Sequence, residues 1–127
     1  IKKTLNELAG VGVDAMWACA KTGLVVDIHG TGPATSAPTG CIQTIALRAD
    51  MDALRMTELN TALPYRSSNE GVAHLCGHDG HMASLIGAAA LLRRRLSRLP
   101  RDCGIRLLFQ PAEDLGVLVP SAVDVEV

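Results

Sequence analysis

The chain has 127 residues, of which 48% are hydrophobic and 20% are charged, and its formal net charge is −1. This length is sufficient for one domain with a hydrophobic core, and the near-neutral charge gives no general attraction to nucleic acid or to anionic membranes. No apolar run has the length needed to cross a bilayer, and nothing resembles a signal peptide.

The four cysteines, at positions 19, 41, 76 and 103, are scattered and form no C-x-x-C pair. Small secreted domains carry disulfide-bonded cysteines at a higher density. We therefore expect a reducing compartment, the cytoplasm, with Cys76 needing a separate explanation. The chain begins at Ile1 within a helical pattern, so we expect it to be part of a longer protein.

The first predicted elements are a short helix and a hairpin. Apolar residues at Ile1, Leu5 and Leu8 indicate an amphipathic helix, which the glycines at positions 10 and 12 should end. Residues 13–20 and 24–29 are rich in β-forming residues. The segment between them predicts a turn with Gly23 at positive φ. A loop rich in Gly, Pro and Thr follows over residues 30–40.

A strand, a long helix and a second strand are predicted next. Residues 41–47 form an apolar strand that is followed by Asp50 and Asp52, and residues 104–109 form another that is followed by Glu113 and Asp114. The order indicates a βαβ crossover with a parallel strand pair. Between them, apolar residues at helical spacing predict a helix that starts at His78 and ends at Pro100: Met82, Leu85, Ile86, Ala89, Leu92 and Leu96.

Four arginines lie at the predicted end of this helix, where the macrodipole favours cations: Arg93, Arg94, Arg95 and Arg98. We interpret them as a solvated helix end. A nucleic-acid surface is the alternative, but it would require more net positive charge and stacking aromatic residues. The chain has one Trp, one Tyr and one Phe.

The densest group of metal-binding side chains is the segment HLCGHDGH, residues 74–81. It contains three of the four histidines, one cysteine and one aspartate. Imidazole, thiolate and carboxylate bind zinc-like ions, and the two glycines let the backbone turn tightly. We interpret the segment as part of a metal site. The alternative is a polar helix start whose side chains cap the backbone.

The acidic residues that follow the two strands are expected to lie close to this segment. Ligands of open α/β sheets bind at the carboxyl ends of the strands, so the clusters should meet along one edge. Carboxylates so close together repel one another unless cations lie between them, which favours a metal centre of one or two ions. The alternative is that Asp50 and Asp114 are solvated turn residues.

Four segments, in order, resemble the M20 metallopeptidase family: ALRADMDAL (46–54), PY (64–65), HLCGHDGH (74–81) and FQPAED (109–114). Within that family they are most similar to the amidohydrolase branch of N-acyl-amino-acid amidohydrolases, hippurate hydrolases and auxin-conjugate hydrolases. The resemblance implies an α/β fold, a mixed sheet flanked by helices. It also implies that residues 1–127 are a partial zinc-peptidase-like catalytic domain, without the lid or dimerisation domain and the C-terminal part.

The resemblance implies roles for five residues. Cys76 and His78 match metal ligands, and Asp114 stands where the family usually has a ligating glutamate. Glu113 matches the general base, and Asp52 matches the aspartate that orients a metal ligand. Asp79 and His81 are expected to cap the helix or to form hydrogen bonds around the ligands.

The implied reaction is hydrolysis of the amide bond of an N-acyl amino acid or short peptide. A metal-bound hydroxide would attack the carbonyl, and Glu113 would transfer the proton. The implied cofactor is a divalent metal, two ions of zinc, manganese or cobalt in the complete protein. The full-length protein can be a homo-oligomer.

Several departures from the family pattern leave an alternative open. Arg55 stands where proline is common, Asp114 is one methylene shorter than glutamate, and no histidine follows it. The chain can therefore be an inactive fragment with at most weak metal binding.

Two further alternatives are less favoured. A structural zinc domain usually has four Cys or His ligands in paired spacing, which is absent here. A nucleophilic Cys76 paired with His78 or His81 would leave Asp52 and Glu113 without a role.

Overall fold

The computed structural model describes residues 1–9, 15–35 and 43–111. Within these ranges four strands form one mixed sheet in the order β1-β2-β4-β3. The elements are α1 (Lys2–Ala9), β1 (Ala15–Cys19), β2 (Gly23–His29), β3 (Gln43–Asp50), α2 (His78–Arg93), a 3₁₀ turn (Leu96–Arg98) and β4 (Cys103–Gln110). The predicted α/β class, a mixed sheet with flanking helices, is confirmed.

The predicted crossover is confirmed by the pairing of the strands. β1, β2 and β4 are antiparallel neighbours, whereas β3 and β4 are parallel and are joined through α2. Ala49 lies opposite Phe109, and Asp50 lies opposite Gln110. The carboxyl ends of β3 and β4 therefore lie side by side, as the sequence predicted.

The hydrophobic core lies between α2 and one face of the sheet. Leu85 and Ala89 of α2 are buried in it, as their helical spacing predicted. Leu107 of β4 and Val26 of β2 are fully buried, and each such aliphatic side chain stabilises the fold by about 1.5–3 kcal/mol. The other buried members of the cluster are Leu5, Leu24, Ile28, Ala49, Ile105 and Phe109.

Arg106 points away from this core because side chains alternate along a strand. Its Nε and Nη2 groups each donate a hydrogen bond of 2.8 Å to a carboxylate oxygen of Asp27, the residue opposite on β2. These hydrogen bonds, which Arg106 donates to Asp27, raise the pKa of the guanidinium group. The charge of Arg106 is thus paired with an acid on the neighbouring strand.

The turn between β1 and β2 differs from the prediction. Ala20 and Lys21 adopt positive φ, at 47° and 63°, and Gly23 does not. Two successive positive φ values match the twist of a tight hairpin. Gly23 is required for a different reason, since a Cβ there would lie 2.7 Å from the carbonyl oxygen of Cys19.

The α-helix ends earlier than predicted. α2 stops at Arg93, and Leu96 belongs to the separate 3₁₀ turn, so Pro100 does not end the helix. The chain tightens because the N–H of Arg95 donates to the carbonyl of Leu92, an i→i−3 bond of 2.8 Å. Arg94, Arg95 and Arg98 therefore follow the helix and are exposed.

Some predictions lie outside the described residues. These are the glycines that should end α1, the first residues of the strands predicted at 13–20 and 41–47, and the acidic pair after β4. No helix in the described ranges is long and apolar enough to cross a bilayer.

Candidate metal centre

The site forms where the carboxyl end of β3 meets the first turn of α2. Beyond β3 the N–H of Met51 donates to the carbonyl of Gln110 at 2.9 Å, which keeps the chain beside β4 for one more residue. Leu54 and Ala73 then exchange two backbone hydrogen bonds of 3.0 Å. This bridge closes the long loop between β3 and α2 and returns the chain to the end of the strand.

His78, the first residue of α2, is buried with 4% of its surface exposed. Its Nδ1 lies 3.2 Å from Oδ1 of Asp52 and 3.1 Å from the carbonyl oxygen of Asp52. Both partners are acceptors, so Nδ1 carries the hydrogen and donates it. Nε2 of the neutral imidazole then carries the lone pair, the form in which histidine binds metals.

Asp50, the last residue of β3, faces the other side of His78. Its Oδ2 lies 3.7 Å from Nε2 of His78, its Oδ1 lies 3.3 Å from Nδ1 of His81, and Arg48 is 3.9 Å away. The side chain is 14% exposed. The alternative of a solvated turn residue is therefore wrong for Asp50, although the same alternative for Asp114 lies outside the described residues.

Opposing effects act on the ionisation of Asp50. Burial raises the pKa of its carboxyl group. A hydrogen bond from the backbone N–H of Asp50, the positive charge of Arg48 and the contacts with the two imidazoles lower it and prevail, so the pKa is below its usual range. The carboxylate is ionised at neutral pH and contributes a negative charge to this corner of the molecule.

The ring of His81 stacks on that of His78, with centroids 5.7 Å apart and planes inclined by 24°. Three-residue spacing places both rings on one face of α2. Sequence analysis predicted only that His81 caps the helix or forms hydrogen bonds around the ligands, and its contact with Asp50 is a hydrogen bond of this kind. In the sequence, the three-residue spacing of His78 and His81 was the feature that could have predicted that the two rings lie together.

The alternative of a helix start capped by polar side chains is contradicted. The N-cap of α2 is Gly77, with φ of 91°, and no side chain caps it. That positive φ is the one place in the segment where the backbone turn requires glycine.

The remaining predicted site residues are not brought into this cluster by the described part of the chain. Cys76 lies exposed in the bend before α2, and Glu113 and Asp114 lie outside the described residues. Among residues 1–9, 15–35 and 43–111, no group of three or more His, Cys, Asp or Glu could hold a metal ion. The donor chemistry that is present, an oriented imidazole beside a carboxylate, fits one side of a metal site.

A cleft of about 510 Å³ opens beside Asp50 and His81. One wall is apolar, and Arg48 lines the polar side, with its Nε donating a 2.6 Å hydrogen bond to Oε1 of Gln110. The lining residues are Leu47, Arg48, Asp50, His81, Ser84, Leu85 and Ala88.

Comparison with known proteins identifies similar chains. The model of the family described as peptidase family M20/M25/M40 matches residues 46–122. N-acetyl-L-cysteine deacetylase of Bacillus subtilis is 47% identical over 118 residues, which are 91% of this chain and 24% of that protein. Thermostable carboxypeptidase 1 of Saccharolobus solfataricus is 45% identical over 97 residues, 76% of this chain and 22% of that protein.

A solved structure has a similar fold over most of this chain. It is a Bacillus subtilis protein described as a dinuclear metal-binding peptidase of the M20 family, with a TM-score of 0.66 and 36% sequence identity. The match covers 87% of this chain and 28% of that one. The chain thus spans about a quarter of the length of the relatives described here.

Proposed function

Since the chain belongs to peptidase family M20/M25/M40, we propose that it supplies the metal-binding edge of an enzyme that hydrolyses the amide bond of N-acyl amino acids. The observation that carries the proposal is the buried His78, whose Nδ1 donates to Asp52 and whose Nε2 is thereby presented as a ligand. Metal-binding histidines are usually oriented by a carboxylate or carbonyl in this way.

Each residue has a defined task in the proposed mechanism. Cys76, His78 and Asp114 would hold the metal, which when bound lowers the pKa of water to about 7 and polarises a carbonyl. Asp52 keeps His78 in the Nδ1–H tautomer and fixes its ring. Glu113 accepts a proton from the attacking water and delivers it to the leaving amine.

The proposed substrate class comes from the relatives. One is named as a deacetylase of an N-acetyl amino acid and another as a carboxypeptidase, so both names imply cleavage of an amide next to an amino acid. The solved relative is described as dinuclear, which supports two divalent ions, zinc, manganese or cobalt. Residues 1–127 would then form part of the catalytic domain, in a complete protein that can be a homo-oligomer.

The state of the thiols supports the proposed location. Cys19, Cys76 and Cys103 are not disulfide-bonded. A cysteine that binds a metal must be a reduced thiolate. A reducing compartment, the cytoplasm, therefore suits the site.

The decisive experiment combines turnover with metal analysis. N-acetyl amino acids are incubated with a longer form of the protein that contains this chain, and the released amine is measured. Glu113→Ala should abolish turnover while the bound metal is retained, because the base is not a ligand. Glu70→Gln, an exposed loop residue, is the matched control. Loss of metal in Glu113→Ala would contradict the assigned role.

A second candidate is an inactive fragment that binds metal weakly. It is favoured by the lack of a metal-holding group of three ligands among the described residues. Zinc titration of the 127-residue chain separates the two. Tight binding of two ions supports the enzyme site in this chain, and weak binding of at most one ion supports the fragment.

A further inference from the structure

The carboxylate of Asp50 lies between the two histidines of α2, with Oδ1 towards His81 and Oδ2 towards His78. We propose that Asp50 is a positioning residue of the metal centre. It holds the His81 ring against that of His78, and it places a negative charge beside the nitrogen of His78 that would bind the metal. This inference rests on the proposed function and names a residue to which the family resemblance assigned no role.

The tautomer of His78 is the first step of the argument. The two acceptors at its Nδ1, the carboxylate and the carbonyl of Asp52, require the hydrogen at that nitrogen. Nε2 therefore carries the lone pair where it faces Oδ2 of Asp50 at 3.7 Å. A cation at Nε2 would be attracted by the negative charge of this carboxylate, so Asp50 favours a metal ion bound at that nitrogen.

The geometry of His81 is the second step. Its Nδ1 lies 3.3 Å from Oδ1 of Asp50. An ionised carboxylate only accepts hydrogen bonds, so this contact selects the Nδ1–H tautomer of His81 as well. The side chain of His81 is 58% exposed, and packing alone would leave its ring mobile. The contact with Asp50 fixes the ring in its stack on His78.

Arg48 does not compete strongly for the same carboxylate. Its Nε donates to Gln110 at 2.6 Å, whereas its Nη2 remains 3.9 Å from Oδ2 of Asp50. Gln110 thus holds the guanidinium at the strand end. The shorter contact of Asp50 is the one with His81, at 3.3 Å.

The tautomers test the inference in the metal-free protein. Long-range ¹H–¹⁵N correlation spectra are recorded at an alkaline pH at which the ¹⁵N shifts are those of neutral imidazole rings. We expect the Nδ1–H tautomer for His78 and His81. Asp50→Ala, which removes the acceptor oxygen altogether, should change the tautomer of His81, whereas the tautomer of His78 should stay fixed by Asp52. A wild-type His81 in the Nε2–H form, or no change in the variant, would overturn the inference.

Metal affinity is the second measurement. The dissociation constant for Co²⁺ is measured by chelator competition and by the visible absorption of the ion. Residues that orient metal ligands typically change affinity by about 10–100-fold, and we expect that loss in Asp50→Asn. Glu70→Gln should bind as the wild type does. Unchanged affinity in Asp50→Asn would overturn the inference.

A variant of His81 covers the case in which the Asp50 variants do not fold. His81→Ala removes the other end of the contact at an exposed position, and we expect it to weaken Co²⁺ binding and alter the absorption of the bound ion. Wild-type affinity and absorption in His81→Ala would refute the role. If the wild-type chain binds no Co²⁺, the proposed function fails for this chain, while the tautomer spectra still decide the inference about Asp50.

Discussion

Arg106 and Asp27, which are 79 residues apart in the chain, form a bidentate ion pair across the middle strands of the sheet. The pair lies on the face opposite to the core, since Ile105, Leu107 and Phe109 point the other way. It joins β2 to β4 by side chains in addition to the backbone ladder. Both groups are partly buried, with the carboxylate 14% and the guanidinium 29% exposed.

We expect this pair to show strong coupling in a double-mutant cycle. Asp27→Ala and Arg106→Ala should each lower the free energy of unfolding. The loss in the double variant should be smaller than the sum of the two single losses by about 1–3 kcal/mol. Urea unfolding of the four proteins measures the coupling. Additivity within about 0.3 kcal/mol would show that the pair contributes no interaction energy.

Shortening one side chain on each face of α2 should distinguish the buried face of the helix from the exposed face. Leu85 is 6% exposed and Leu91 is 64% exposed on the same helix. Leu85→Ala should lower the free energy of unfolding by about 2–5 kcal/mol because it leaves a cavity. Leu91→Ala is the matched control and should change it by about 0.5 kcal/mol or less. Equal losses in both variants would contradict the packing described here.

Two glycines should respond in opposite ways to alanine. A Cβ at Gly30 would overlap the backbone carbonyl oxygens of Leu99 and Pro100, whereas a Cβ at Gly87 on α2 meets nothing within 4 Å. Gly30→Ala should destabilise the chain by about 1–3 kcal/mol. Gly87→Ala should stabilise it by about 0.5–1 kcal/mol through helix propensity. Thermal unfolding measures both changes, and the same sign for both would be inconsistent with these positions.

Asp102 should titrate below its ordinary value of 3.8. The hydroxyl and the backbone N–H of Thr35 donate to its carboxylate, the hydroxyl contact being the main cause of the lowered pKa. Because the folded pKa is the lower one, the stabilisation is present above the unfolded pKa and is lost as pH falls through the folded value. The contact is exposed, so overall stability should change little.

The carboxyl ¹³C shift of Asp102 measured against pH tests this assignment. Thr35→Val keeps the backbone N–H and the shape of the side chain but removes the hydroxyl, so the pKa of Asp102 should rise towards 3.8. The exposed Glu70 serves as an internal reference in the same spectra. An unchanged Asp102 titration in the variant would assign the shift to another cause.

Asp52→Asn should weaken metal binding without unfolding the chain. The backbone carbonyl of residue 52 still accepts the hydrogen bond from Nδ1 of His78, but the negative charge 3.2 Å from that nitrogen, which makes the imidazole more basic, is lost. We expect a loss of about 10–100-fold in Zn²⁺ affinity by calorimetry. Glu7→Gln on α1 should bind as the wild type does. Wild-type affinity in Asp52→Asn would argue against its orienting role.

The parts of the fold that depend on periodicity could be predicted from the sequence. The spacing of Leu85 and Ala89 identified the buried face of α2, and the strand–helix–strand order gave the parallel pair. The strand-end rule also placed Asp50 and Asp52 beside the start of α2. These features depend on the spacing of residue types within each helix or strand, which can be read directly from the sequence.

Other features depend on how backbone and side-chain atoms meet in three dimensions, and the pattern of residue types did not predict them. The requirement for glycine at position 23 arises from the carbonyl of Cys19 across the hairpin. The early end of α2 depends on a local change in hydrogen bonding after Leu92. Which acid meets which imidazole depends on the twist at the end of β3, and the sequence does not encode that twist in a readable pattern. The roles of Glu113 and Asp114 remain predictions.

The bridge between Leu54 and Ala73 has a consequence for the order in which the chain acquires its structure. The β1–β2 hairpin closes through a tight turn, whereas His78 and Asp52 are 26 residues apart and meet only after a long loop is closed. Contacts distant in sequence form more slowly than local ones, because the entropy of loop closure must be overcome first. We therefore expect the histidine–aspartate contact to form after the β1–β2 hairpin.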